Sequence, residues 1–199
     1  MNSDGALTEK LTAWLSQAID IYRQKVVLAA PHVPMLYVNL IETALQPQQI
    51  VDFFHDTFSA DELKEWAILD IHHYFAWDGG HNGCYDGSCA YTCADSATSE
   101  GIDSINSFIA DGAVNSHQFF FDNGSIPLVS CSEYSLATYD LSASSCRGST
   151  ILTAMHGEQA EGFKNQGLYG AYFWTWKMPY GGTHEEAWSL KNFLGIEES

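Results

Sequence analysis

Apolar positions recur along the chain in two alternating rhythms. Leu7, Leu11, Trp14, Leu15, Ile19, Tyr22 and Val26 fall at three- and four-residue steps, the spacing of one helical face, and predict an amphipathic helix over residues 6–29. Asp4 and Thr8 are candidate caps, and Pro31 forbids continuation. Pro34 then opens a continuous apolar run, Met35–Ile41, which reads as a buried strand because neither face is left polar. Gln48–Phe54 and Ala60–Trp66 predict two short helices. Ala67–Tyr74 predicts a second strand, ending in a polar cluster. Residues 77–97 are so rich in Gly, Cys and Asp that they predict a long loop without regular structure. Helical spacing resumes at Ile102, Ile105, Phe108 and Ile109 and runs less regularly to Phe121. Asn123-Gly124 marks a turn into a third strand that starts at Ile126, and a loop follows to Gly148. Residues 150–165 predict a helix ending at Gly167, Tyr169–Trp174 a fourth strand, and Glu186–Leu194 a closing helix.

Strands that alternate with helices must run parallel, since each crossover returns the chain to the same end of the sheet. Four such units equal half of a (β/α) barrel of eight. No repeat, low-complexity tract or linker divides residues 1–199, so a single α/β domain is expected.

The third strand organises the rest. Ile126-Pro127-Leu128-Val129 is a buried apolar run that stops at Ser130-Cys131-Ser132 and delivers Glu133. A carboxylate at the carboxyl end of a buried parallel strand stands where α/β folds place their chemistry. The competing reading is a surface Glu in a loop.

Composition narrows the partners. With 199 residues, 46% apolar and 17% charged, the chain is long enough for a substantial core and too apolar for disorder. A net charge of −17 with only eight Lys and Arg argues against nucleic acid or any phosphate-rich partner and suits a neutral ligand. No apolar run is long enough to span a membrane, and the first ten residues carry no signal-peptide pattern. Cys84, Cys89 and Cys93 cluster in the long loop, while Cys131 and Cys146 flank the third strand's end. Their spacing is not that of a zinc knuckle or ribbon, so disulfides in an oxidising compartment are expected, with one cysteine of the loop trio left odd or bonded outside this sequence. Asn123-Gly124-Ser125 is a glycosylation sequon consistent with secretion. A leader is expected in N-terminal sequence not present here.

Parallel strands would gather Asn39, Glu42, His72, Tyr74, Glu133, Trp174 and Trp176 at their carboxyl ends. Neutral sugars are held by aromatic platforms with convergent polar groups, and this set supplies both. Individually, His72-His73 also reads as a core histidine beside an exposed one, and Trp174 and Trp176 as core and helix-facing packing residues.

Three segments resemble glycoside hydrolase family 5, in particular its fungal- and oomycete-type exo-1,3-β-glucanases (glucan 1,3-β-glucosidases). ILDIHHYFAW resembles the family's His-x-Tyr strand end, carried here by His72 and Tyr74. LVSCSEYSLAT resembles the nucleophile segment, with Ser132 where the family has Gly and Tyr134 as the following aromatic, so the nucleophile role falls on Glu133. YGAYFWTWK resembles the last barrel strand, whose sugar-lining Trp matches Trp174. FFHDTF and EEAWSL are similar to a His-Asp-x-Phe loop and a closing helix of the family. The resemblance implies the C-terminal half of a TIM barrel, strands five to eight, with Met35–Ile41 as the fifth. The family's acid/base glutamate lies in an Asn-Glu-Pro motif, which this sequence does not contain. Asn39-Leu40-Ile41-Glu42 is the nearest substitute, but its place in the order does not match. The first four strands and the acid/base are therefore expected to be missing, and the chain to be weakly active or inactive alone.

The resemblance implies a retaining hydrolase of β-glucan, extracellular or in the cell wall, that needs no cofactor or metal. Glu133 would attack the anomeric carbon as an ionised nucleophile, held in that state by nearby donors. Tyr74 and Tyr134 would donate near it, His72 would position it or a sugar hydroxyl, and Trp174, with Trp176, would line the sugar site. Two other classes compete: a non-catalytic β-glucan-binding protein built on Trp174, Trp176 and Tyr74, and a metallohydrolase using His55, Asp56, Asp70, His72 and His73.

Overall fold

The computed structural model describes residues 3–32, 35–41, 43, 45–75, 84–85, 88–89, 98–122, 126–138, 149–177 and 185–196. It is a mixed α/β protein with a four-stranded parallel sheet. Elements in chain order are α1 (Ser3–Tyr22), β1 (Leu36–Asn39), α2 (Pro47–Thr57), α3 (Ala60–Glu65), β2 (Ala67–Phe75), β3 (Cys84–Tyr85), β4 (Ser88–Cys89), α4 (Ser99–Asp122), β5 (Val129–Thr138), α5 (Ser149–Asn165), β6 (Gly170–Phe173), α6 (Glu185–Trp188) and α7 (Leu190–Phe193). The sheet order is β1-β2-β5-β6, while β3 and β4 form a separate antiparallel pair. Its contacts group into two compact units, residues 1–71 with 119–130, and 72–118 with 131–199.

In the first unit α1 continues into a π-helical segment, Arg23–Val27. The predicted buried stripe holds only in part: Ile19 is buried, but Trp14 is 62% exposed and Val26 38%. This helix carries apolar residues around much of its circumference, so periodicity alone does not identify the packed face. β1 pairs with β2 in parallel, Leu36 opposite Ala67 through Asn39 opposite Asp70. Pro47 starts α2 at the position where its missing N–H costs nothing, and Gln49 accepts from the Gln46 amide at 2.8 Å. Ser59 and Glu62 cap α3 reciprocally: the Ser59 hydroxyl accepts from the Glu62 amide at 3.3 Å, and Glu62 Oε2 accepts from the Ser59 amide at 2.8 Å. Arg23 ties the end of α1 into this cap. Its fork donates to Glu62 at 2.7 and 2.9 Å, a further N–H donates to the Thr57 carbonyl, and its guanidinium lies over the Phe58 ring. Trp66 closes the cluster against Tyr22 and Phe58.

The second unit is built on Phe75, Ile105, Ile109, Leu136, Ile151 and Met155, with Phe108, Phe173, Trp188 and Phe193 packed against them. α5 ends at Gly167, whose φ of +73° admits the left-handed turn. The Leu168 amide reaches back to the Phe163 carbonyl at 3.1 Å and that of Gly167 to Lys164 at 3.0 Å, so the last carbonyls of the helix are satisfied. Element boundaries differ from the sequence reading most clearly in three places. β5 does not stop at the small residues but runs to Thr138, so Glu133 lies inside the strand; Ser130 and Ser135 are fully buried there without breaking it. The closing helix is two single turns, because Ser189 accepts from the Asn192 amide and restarts the helix as a cap. Within the loop predicted for residues 77–97, Cys84–Tyr85 and Ser88–Cys89 pair as a short hairpin, and the rest lies outside the described residues.

Candidate active site

β2 changes character at His72. Ala67 to Ile71 are buried at every position, as a strand covered on both faces must be, whereas His72 and Tyr74 are only partly covered and His73 and Phe75 stay buried. Period two therefore opens one face of the strand and keeps the other in the core. On the closed face, His73 packs edge-on against Phe75 at 4.8 Å and Phe163 at 6.0 Å.

Glu133 joins the open face. Tyr74 Oη donates to Glu133 Oε2 at 2.7 Å, the length of a strong hydroxyl–carboxylate bond. His72 Nδ1 stands 3.4 Å from the same oxygen, beyond the ordinary N–H···O range. The Glu133 side chain is 28% exposed and that of His72 16%, so the pair is accessible yet partly desolvated. The Cys131 thiol, one step back on the same face, donates to the Glu133 carbonyl at 3.3 Å. Cys131 is thus a buried thiol rather than the disulfide partner expected of it, because it lies inside a packed strand and not in a loop. The side chains of the other four cysteines fall outside the described residues.

Tyr134 does not join them. Consecutive strand residues face opposite ways, so it is sent away from Glu133 into the core, only 7% exposed. Its ring packs edge-on against Phe163 at 5.3 Å and Phe173 at 5.4 Å. Burial, and then the nearby Cys131, push its phenol above the usual tyrosine range. Tyr134, expected among the substrate-binding residues, thus stands in the packing between Phe163 and Phe173.

The aromatic rim follows β6. The Trp174 amide donates to the Tyr134 carbonyl at 2.8 Å, which fixes the end of β6 one residue along from Glu133. The Trp174–Thr175 peptide is cis. Trp174 is 49% exposed and Trp176 54%, so neither is buried as a core or helix-facing residue. Residues 175–176 are held by the segment that closes the chain: Thr175 donates to the Trp188 carbonyl at 2.9 Å, Leu190 to the Thr175 carbonyl at 3.0 Å and Lys191 to the Trp176 carbonyl at 3.0 Å. Trp188 was not singled out from the sequence, yet its ring lies 5.4 Å from that of Tyr74, tilted by 34°. The only sequence signal for it was an aromatic in EEAWSL, which reads equally well as helix packing.

Asn39 ends β1 in the first unit and turns its side chain inward on its own backbone, Oδ1 accepting from the Ile41 amide at 3.0 Å. Glu42 lies outside the described residues. Among the described residues no group of three or more His, Cys, Asp or Glu is placed to hold a metal ion, so the set His55, Asp56, Asp70, His72 and His73 does not converge. A surface hollow of about 440 Å³ in the first unit is lined by residues such as His55, Phe58, Leu63 and Pro127 and by no carboxylate. No described helix is long and apolar enough to cross a membrane. A scan against protein-family models gives no match for the chain, and a search of characterised proteins gives none either.

Proposed function

We propose that this chain carries the nucleophile side of a retaining β-glucan hydrolase site, on the C-terminal half of a (β/α)-barrel catalytic domain. The observation that supports it is the carboxylate of Glu133 held by Tyr74 Oη at 2.7 Å, with His72 beside it, on the open face of neighbouring strands. Trp174 and Trp176, both about half exposed at the end of β6, supply flat apolar surfaces of the kind that sugar rings stack on. The net charge of −17 favours a neutral substrate over an anionic one.

In this reading both contacts fall on Oε2, which leaves Oε1 to attack the anomeric carbon. A glycosyl–Glu133 ester forms as the glycosidic C–O bond breaks, and water later cleaves the ester with net retention. The leaving oxygen must take up a proton. The family resemblance puts that donor in an Asn-Glu-Pro motif that this sequence lacks. Natural glucan should therefore react slowly with this chain alone, while a glucoside whose leaving group departs as a stable anion bypasses the acid.

The half exposure of the two tryptophans equally favours a second reading, in which the chain binds β-glucan without cleaving it. One comparison separates them: retention on laminarin and release of dinitrophenolate from dinitrophenyl β-glucoside, each for the parent chain and Glu133→Gln. The hydrolase reading expects the variant to retain laminarin and lose release. Release that survives Glu133→Gln contradicts it, and retention with no release by the parent chain leaves the binding reading.

A further inference from the structure

We infer that Trp188 is a positioning residue that couples the orientation of the Glu133 carboxylate to the placement of the tryptophan rim. This rests on the proposed role of Glu133 and extends it to a residue outside the set expected to form the site. Three observations meet at Trp188. Its ring lies against that of Tyr74 at 5.4 Å and 34°, and Tyr74 is the donor to Glu133 at 2.7 Å. Its backbone carbonyl accepts from Thr175 at 2.9 Å, directly after Trp174. Its side chain is also packed against the core formed by Phe75, Ile105 and Leu136, which anchors it.

The geometry explains why both links run through one residue. A tyrosine hydroxyl lies in its ring plane, so the surface against which the ring rests sets where Oη can point. The indole of Trp188 provides such a surface on Tyr74. Ser189 ends α6 at Trp188 by capping α7, and this turns the chain so that residues 188–191 run beside 175–176 with three backbone hydrogen bonds. A displacement of Trp188 therefore moves the Tyr74 ring and releases the Thr175 amide together. A residue that merely filled space would let either respond without the other.

The test reads Tyr74 and Thr175 separately from any sugar chemistry. In protein labelled with ¹³C at tyrosine rings, the Tyr74 signal is assigned with Tyr74→Phe, and the effect of losing its acceptor is calibrated with Glu133→Gln. Trp188→Ala should move the Tyr74 signal in the direction that Glu133→Gln moves it, and should speed hydrogen exchange at the Thr175 amide by about tenfold or more as that segment loosens. Trp188→Phe, which keeps a flat ring, should leave both close to the parent. If Trp188→Ala does not fold, Trp188→Leu takes its place, keeping apolar bulk without the flat face. An unmoved Tyr74 signal in a variant whose core methyl signals are native overturns the inference, as does a shift with unchanged Thr175 exchange. Laminaritriose binding is measured in the same samples and should weaken by about two- to tenfold in Trp188→Ala, the loss expected when a loosened rim side chain must be ordered on binding. Should the parent chain fail to bind laminaritriose while Tyr74 and Thr175 respond as stated, the glucan reading falls and the positioning role stands.

Discussion

Replacing Tyr74 by Phe removes a single oxygen and leaves the ring on Trp188 in place, so it isolates the bond to Glu133. A hydrogen bond to a charged group contributes about 1.5–3 kcal/mol, and the 2.7 Å separation puts this one among the strong ones. Glu133 is 28% exposed, so water recovers part of the loss. The net cost in orienting the proposed nucleophile is then about 1–2 kcal/mol, or a rate reduced roughly 5–30-fold. His72 is 3.4 Å away, and His72→Asn should cost less, below about threefold. The assay is the initial burst of dinitrophenolate from 2,4-dinitrophenyl β-glucoside, a step that needs no proton donor. Stability in urea should fall by no more than about 1–2 kcal/mol, the net worth of the same bond, because the packing is unaltered. A Tyr74→Phe burst rate within twofold of the parent would refute the reasoning, since the short bond would then have no bearing on the carboxylate's reactivity.

Arg23 holds α1, the end of α2 and the cap of α3 together, and Arg23→Ala should lower urea stability by about 2–3 kcal/mol through lost forked bonds and lost cover over Phe58. The same guanidinium, working against burial, holds the Glu62 carboxyl below its usual value of 4.5. A depressed folded value means the contribution is complete above about pH 4.5 and lost as the pH falls through the folded value, so Glu62→Gln should flatten the acid limb of stability against pH. For Tyr134 the sign is opposite. Burial raises its phenol above 10.0, so its contribution is complete below that pH and lost as the pH rises through the folded value; ultraviolet titration should find it ionising late. Tyr134→Ala should cost about 3–5 kcal/mol, while Tyr134→Phe should leave laminaritriose affinity unchanged.

Where one physical signal dominated, the sequence was read correctly. Ala67–Phe75 is a strand because an unbroken apolar run must be covered on both faces, and its even-numbered end residues, His72 and Tyr74, emerge together for the same reason. Gly167 ended α5 as its conformational freedom requires. The burial of Tyr134 follows from strand geometry, since Glu133 and Tyr134 are neighbours in one strand and face opposite ways. The length of β5 was harder to see, since serines that read as a strand's end are small enough to pack inside it. Trp188 was invisible because its contacts with Tyr74 and Thr175 join separate elements, and no local pattern reports such contacts. Ser189 was legible as a cap only once the helix was known to restart there.

The central claim concerns a covalent bond, and trapping that bond tests it most directly. A 2-deoxy-2-fluoro-β-glucoside with a dinitrophenolate leaving group needs no acid to depart, and its fluorine slows hydrolysis of the ester that forms. Incubated with the chain and analysed by intact mass and peptide mapping, it should add one fluoroglucosyl group on the peptide containing Glu133 and none in Glu133→Gln. A chain that binds laminarin yet stays unlabelled, or that carries the label on another residue, contradicts the account.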